Sequence, residues 1–293
     1  MVLSTVRATG PAPTGRFAAF SFVDQITQIQ GVTRVRGLYT IPANIEHFPA
    51  SLVAEALGQL AAWVAMSTLG FSHRPVAALA GDTKIFSLPK PGDTLELIVD
   101  IESCDAESIL YRGYALVDGS LVLELADTVG SMLDIQEFDD PAALAADFAL
   151  LSTSGRVVGA FQGVPRPSLL DLPASTPEQL QAQLAVPAQA AFFEDHFPRR
   201  PVFPATLLLD ALLQLANRVA VQTTGGMSLR LTRITNVKVR AFTAPGATLL
   251  LSAQLAAPGS DDLEPYMVKL TAQAEGKTIA SAKMYFALAG ETA

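Results

Sequence analysis

The stretch HFPRRPVFPATLLLDALLQLANRVA, residues 196–220, sets a histidine and two spaced prolines ahead of an apolar segment with an aspartate inside it. Pro204 suits a first helical turn, where a missing N–H costs nothing and the fixed φ is already helical. On the helix that follows, Leu208, Ala211, Leu212, Leu215 and Val219 share one face. Asp210, Gln214 and Asn217 line a narrow polar stripe at i, i+4 and i+7. A helix this apolar must be wrapped by protein, and an uncompensated buried carboxylate is costly. His196 and Asp210 therefore need a use.

The same pattern occurs earlier. HFP stands at 47 and at 196, an offset of 149, and LVAEALGQLAAWVA (52–65) matches LLLDALLQLANRVA (207–220) at an offset of 155. The six-residue difference is a deletion between histidine and helix in the first copy. Farther on, PGDTLEL (91–97) aligns with PGATLLL (245–251), and DGSLVLELADTVGSML with EGKTIASAKMYFAL. Landmarks in one order mark an internal repeat. Each copy reads as an early strand, a long loop, one long helix and about four strands. In the first copy the strands are expected at 17–29, 36–41, 76–86, 94–104, 108–117 and 121–133, with DG as the last hairpin turn. In the second they are expected at 229–239, 248–255, 266–274 and 278–288.

QEFDDPAALAADFALLSTSG reads as a linker with about one helical turn, and PRPSLLDLPASTPEQ as an irregular insertion. The expected division is a first unit at 1–135, a linker at 136–152 and a second unit at 153–293. One long helix per sheet implies an α+β fold in which each sheet curls around its helix.

A chain of 293 residues with 50% hydrophobic and 16% charged residues is long enough for two units and too apolar for disorder. The net charge of −8 disfavours nucleic acid or an anionic membrane as partner, since dense Lys and Arg carry that affinity. Arg218, Arg230, Arg233, Lys238 and Arg240 do gather downstream of the HFPRRPVFP motif, where they would either attract an anionic carrier or form a solvated strand and helix edge. Acids, Gln or Arg interrupt each apolar run short of a membrane span, and MVLSTVRATGPAPTGRF has no signal-like apolar core. The single cysteine, Cys104, has no disulfide partner or metal-ligand companion, so a reducing cytoplasm is the expected compartment. His73, in GFSHRP, lacks any such frame and is expected at the surface.

His196-Phe197-Pro198-Arg199-Arg200-Pro201-Val202-Phe203-Pro204-Ala205-Thr206-Leu207, followed by Asp210-Ala211 and Gln214, resembles the signature H-F-x-G-x-P-V-x-P-G-x-L-x-x-[ED]-A-x-x-Q. This is the signature of the hot-dog-fold 3-hydroxyacyl-acyl carrier protein dehydratases of fatty-acid biosynthesis. FSFVDQITQI and KIFSLPKPGDTLEL are weaker echoes of the same family. The resemblance spans nearly all of both halves and implies a fused double hot dog, with continuous sheets and sites shared between units. It pairs His196 with Glu55 and His47 with Asp210 as catalytic residues. Gln59 and Gln214 are implied as positioning residues, and the backbone N–H groups at Arg199, Ala205 and Ala50 as donors to the thioester oxygen.

The implied reaction is dehydration of a 3-hydroxyacyl thioester, on acyl carrier protein or coenzyme A, to the trans-2-enoyl thioester in fatty-acid or polyketide-type synthesis. It needs no metal or redox cofactor. Both signature glycines are replaced, by Arg199 and Ala205, and the first copy lacks the G-x-P-V-x-P segment, so the His196 and Glu55 site is expected to be the better one. Thioesterase, acyltransferase or decarboxylase chemistry on the same fold, or acyl binding without chemistry, stays open, as does further homo-oligomerisation.

Overall fold

The computed structural model describes residues 18–173, 176, 178–256 and 266–289. The described residues form β1 (Gln25–Gln30), β2 (Arg34–Thr40), α1 (Ala50–Thr68), β3 (His73–Ile85), β4 (Thr94–Cys104), β5 (Ser108–Val117) and β6 (Ser120–Asp134). Next come α2 (Pro141–Leu151), β7 (Leu169–Asp171), β8 (Gln179–Ala185), α3 (Ala205–Thr223), β9 (Leu229–Val239), β10 (Thr248–Leu255), β11 (Tyr266–Ala274) and β12 (Lys277–Leu288).

The strands make one sheet in the order β1-β2-β4-β5-β6-β3-β9-β12-β11-β10-β8-β7. This order reads the same from both ends: each half runs from its two early strands, through its meander, to the strand that follows its long helix. The halves meet where β3 pairs antiparallel with β9, from Leu79 opposite Lys238 to Lys84 opposite Arg233. Arg233 adds a two-point ion pair with Asp82 across that seam, at 2.6 and 3.0 Å. The fold is the expected α+β double hot dog.

Each sheet packs on its own helix. Leu95, Leu97 and Val99 on β4 point inward, while Glu96 and Ile98 between them lie on the other face, as the two-residue period of a strand requires. Leu57 and Leu60 of α1, and Leu212 and Leu215 of α3, are buried against these faces. In length and hydropathy α1 meets the requirement for a membrane span, but two-thirds of its apolar window is buried in the fold, as suits a core helix. The helix lies close because the sheet is bare beneath it. A Cβ added at Gly113 would sit 3.1–3.3 Å from Leu57, and one at Gly37 would sit 3.0 Å from Leu60.

The structure corrects three expectations. The strand expected at 17–29 begins only at Gln25, because the N–H groups of Ala19, Phe20 and Phe22 are claimed by the side chains of Asp195 and Gln59. Phe17 lies outside the described residues. The linker holds the eleven-residue helix α2, started by Asp140, which accepts from the Ala143 N–H at 3.0 Å, and by Pro141 in its first turn. The irregular insertion contains β7, paired with β8. His73, at the start of β3, is partly exposed, with Nδ1 against Ser72 Oγ at 2.9 Å. We propose the same division of the chain at about 135 and 153, with α2 as a structured linker.

Gly113→Val is predicted to force Leu57 off its seat on the sheet. It should cost about 1–3 kcal/mol of unfolding free energy, read as a lower urea midpoint at unchanged m-value.

Candidate active site

Pro49 and Pro204 start the two long helices, and in neither case does a side chain cap the first turn. In α3 the Leu207 and Leu208 N–H groups bond to the Pro204 carbonyl at 3.1 Å. The helix ladder thus leaves the Ala205 and Thr206 N–H groups unused. Ala205 lines a cavity of about 160 Å3 that also contains His196 and Glu55. Its other walls include Phe20, Trp63, Met66, Ile109, Leu144 and Val202, drawn from both halves and from α2. The first residue of α1, Ala50, is buried and lies outside this cavity.

His196 is fixed by its own loop. Its Nδ1 lies 2.9 Å from the Val202 carbonyl, and its backbone carbonyl accepts the Val202 N–H at 3.0 Å. Only an N–H can face a carbonyl, so Nδ1 carries the proton and Nε2 keeps its lone pair. The ring stacks on Phe197 at 4.1 Å and meets the edge of Phe20. His196 lines the cavity. Burial among these groups lowers its pKa to about 4, with the Val202 hydrogen bond opposing and the Arg74 charge adding to the effect, so the imidazole is neutral at pH 7.

Glu55 projects from α1 into the same cavity. Its Oε1 accepts from Gln59 Nε2 at 3.0 Å and its Oε2 from Thr206 Oγ1 at 2.9 Å. Burial pushes the Glu55 carboxyl above the usual carboxylate range, against the opposing pull of Gln59, Thr206 and Arg74. The Gln59 amide is fully used: besides Glu55 it donates to the Phe20 carbonyl at 3.0 Å and accepts from the Phe22 N–H at 2.8 Å. Asp195, beside the histidine, grips the same segment from the other half, accepting from the Ala19 and Phe20 N–H groups at 2.8 and 2.7 Å. Phe20 is thereby held as a cavity wall from both units.

The other predicted pair also assembles, in a different form. His47 Nε2 lies 3.7 Å from Asp210 Oδ1, with the histidine side chain 31% exposed and the aspartate 7%. Gln214 Nε2 reaches Asp210 Oδ2 at 3.4 Å. Neither His47 nor Asp210 lines the cavity of the first pair.

The replaced glycines are accounted for. Neither Arg199 nor Ala205 is among the residues with positive φ, so neither position needs glycine's freedom. The Arg199 N–H, expected to face a thioester oxygen, instead donates to the Phe138 carbonyl at 3.0 Å. The two arginine side chains bind the linker: Arg199 to Asp140 at 3.2 Å and Arg200 to Glu137 at 2.7 Å. Of the basic cluster, Arg218 on α3 is held by Asp171, Arg233 by Asp82 and Arg240 by Ser281.

Asp195, Thr206 and Arg74 were not singled out by sequence reasoning. Arg74, at the start of β3, is buried in the cavity wall, with its guanidinium 3.9 Å from the Phe197 ring centre and 3.7 Å from Asp139. Only Asp195 had a local signal, its place beside His196.

The fold and site define a class of hot-dog proteins, and comparison with known proteins agrees. Residues 173–283 match the family model of ApeI-like dehydratases, described as ApeI dehydratase. Over 117 residues the chain is 35% identical to the 3-hydroxyacyl-[acyl-carrier-protein] dehydratase FabZ of Bacillus velezensis, covering 36% of this chain and 82% of that protein. A putative oleoyl thioesterase from Lactobacillus plantarum superposes with a TM-score of 0.60 at 12% identity, over 88% of this chain and 98% of that one. A protein described as having a hot dog fold, from Alicyclobacillus acidocaldarius, superposes at 0.50 and 12% identity, over 93% and 98%. The chain belongs to the hot-dog 3-hydroxyacyl-acyl carrier protein dehydratase family.

The depressed pKa of His196 predicts a pH dependence of stability. Between about 6.5 and about 4 the unfolded chain binds a proton at His196 that the folded chain does not. Its contribution is therefore intact above pH 6.5 and is lost as pH falls towards 4, by up to about 1.4 kcal/mol per pH unit. Subtracting the pH–stability curve of His196→Asn from that of the unsubstituted protein should expose this slope. Other groups, such as Asp24 with its pKa raised to about 6, cancel in the difference.

Proposed function

We propose that the chain dehydrates a 3-hydroxyacyl thioester, carried on acyl carrier protein or coenzyme A, to the trans-2-enoyl thioester, using His196 as base and Glu55 as acid. The observation that carries this reading is that a neutral imidazole from one half and a carboxyl of raised pKa from the other line one mostly apolar cavity. Elimination of water from a 3-hydroxyacyl group requires removal of a weakly acidic proton at C2 and protonation of a poor leaving group at C3. Nε2 of His196 takes the C2 proton. The C2–H electron pair becomes the C2=C3 bond, and the C3–O bond breaks as Glu55 gives its proton to the departing hydroxyl, which leaves as water. Proton transfer from His196 back to Glu55, directly or through water, resets the site.

Negative charge that builds on the thioester oxygen meets the free N–H of Ala205 and the positive end of the α3 dipole, in a setting already shielded from bulk water. Ala205 takes over the role expected of Arg199, whose N–H is spent on Phe138. Gln59 positions the acid and Asp195 the Phe20 wall. The His47 and Asp210 pair, more open and away from the cavity, contributes little to turnover in this reading.

Incubation with 3-hydroxyacyl pantetheine thioesters of several lengths, with mass detection, tests the proposal. Loss of water is the expected product, whereas release of free acid would make the chain a thioesterase and unchanged bound thioester an acyl-binding protein. His196→Ala and Glu55→Gln should each lower kcat by roughly a hundredfold or more, while His47→Ala should leave it within a few-fold. Undiminished dehydration by the His196 and Glu55 variants would overturn the assignment.

A further inference from the structure

Glu55 has two hydrogen-bond partners of different kinds. Gln59 Nε2, on the same helix, can only donate, whereas Thr206 Oγ1 can donate or accept. Thr206 belongs to the first turn of α3, 151 residues away, and reaches Glu55 where α1 and α3 pack together. The charged or titratable groups around the carboxyl are Arg74 from β3, Tyr111 from β5 and His196 across the cavity. Thr206 is thus the hydroxyl bridge by which one half holds the acid of the other.

The repeat supplies an internal control. Ser51 occupies the place in α1 that Thr206 holds in α3, and Asp210 the place of Glu55. Ser51 is buried, and its Oγ has no hydrogen-bond partner. Asp210 is one methylene shorter than Glu55 and is approached instead by His47 and Gln214. Only one of the two acids has a hydroxyl from the opposite helix, and it is the acid in the cavity.

We propose that Thr206 is a positioning residue for Glu55, its hydroxyl holding the carboxyl in place in both protonation states and, as a donor, favouring the carboxylate as the proton departs. When Glu55 is protonated, its remaining lone pairs still accept from Thr206, or the hydroxyl turns and accepts from the acid. A partner that can only donate lacks the second option. As a donor to Oε2, Thr206 opposes the upward shift that burial imposes on Glu55. Deleting the hydroxyl therefore raises the carboxyl pKa further.

For turnover this inference rests on the dehydratase reading, so its test includes a readout that needs no turnover. Thr206→Val, nearly isosteric, is compared with the unsubstituted protein by isotope-edited infrared titration of the Glu55 carboxyl, with Glu55→Gln identifying the band. The Glu55 titration should move to higher pH in Thr206→Val and return in Thr206→Ser. Because Glu55 acts as the protonated acid, the alkaline limb of the kcat profile should move the same way. In addition kcat should fall roughly ten- to a hundredfold, with KM little changed. Thr206→Ala, which deletes the hydroxyl without adding bulk, reads the same shift if thermal melting shows the valine variant to be poorly folded. An unshifted Glu55 titration in a folded variant lacking the hydroxyl, or a serine variant that fails to restore it, overturns the inference. Absence of dehydration by the unsubstituted protein would instead count against the proposed function and leave the titration result to stand by itself.

Discussion

Five residue pairs between β3 and β9, Leu79 with Lys238 through Lys84 with Arg233, carry the hydrogen bonding of one half-sheet into the other. The proposed site depends on that seam. A curled sheet wrapped on a single helix buries the helix but leaves its N-terminal end near the sheet's open edge. Joining two such sheets at the strands that follow their helices brings α1 and α3 side by side. Thr206 then reaches Glu55, and the loop before α3 lays His196 against the same cavity. Neither half alone holds both residues. The Arg233–Asp82 pair and the arginine contacts to the linker, Arg199 with Asp140 and Arg200 with Glu137, fasten the halves in the same register.

The chemistry follows from how little water these groups see. Burial disfavours charge on both sides of the proposed reaction, keeping the imidazole neutral and pushing the carboxyl towards its protonated form. At pH 7 the imidazole is then in the form the proposed elimination consumes, and the carboxyl is shifted in the direction that elimination requires. The hydrogen bonds decide which atoms act: Val202 takes Nδ1 and leaves Nε2, while Gln59 and Thr206 fix the orientation of the carboxyl. The second pair shows what happens when the same residue types lose that frame. Without the longer acid, the bonded hydroxyl and the proline-framed loop, His47 and Asp210 come together at a more open place.

The repeat, the two helices and most strands could be read from the chain because their signals are local: alternation along strands, glycine-bearing turns and prolines that start helices. The strands at 94–104, 108–117, 229–239, 248–255 and 266–274 fall where the pattern placed them. What escaped was set by distant partners. Residues 19–22 read as strand, but Asp195 and Gln59 take the N–H groups of Ala19, Phe20 and Phe22, and pairing starts only near Asp24. Helix α2 is started by Asp140 and Pro141, yet its apolar positions find their neighbours far along the chain, where Phe148 stacks near Trp63 and meets Phe71. Thr206 gave no signal, since its partner lies 151 residues away. Arg199 and Ala205 stand where the signature has glycine, and neither has positive φ.

A crystal structure with a non-reactive 3-hydroxyacyl pantetheine amide bound tests the shared site most directly. The account predicts the acyl group in the cavity between the halves, with C2 facing His196 Nε2 and the 3-hydroxyl within hydrogen-bonding distance of Glu55. An acyl group seated instead at His47 and Asp210, or one that reaches His196 while Glu55 points away from its hydroxyl, would contradict it.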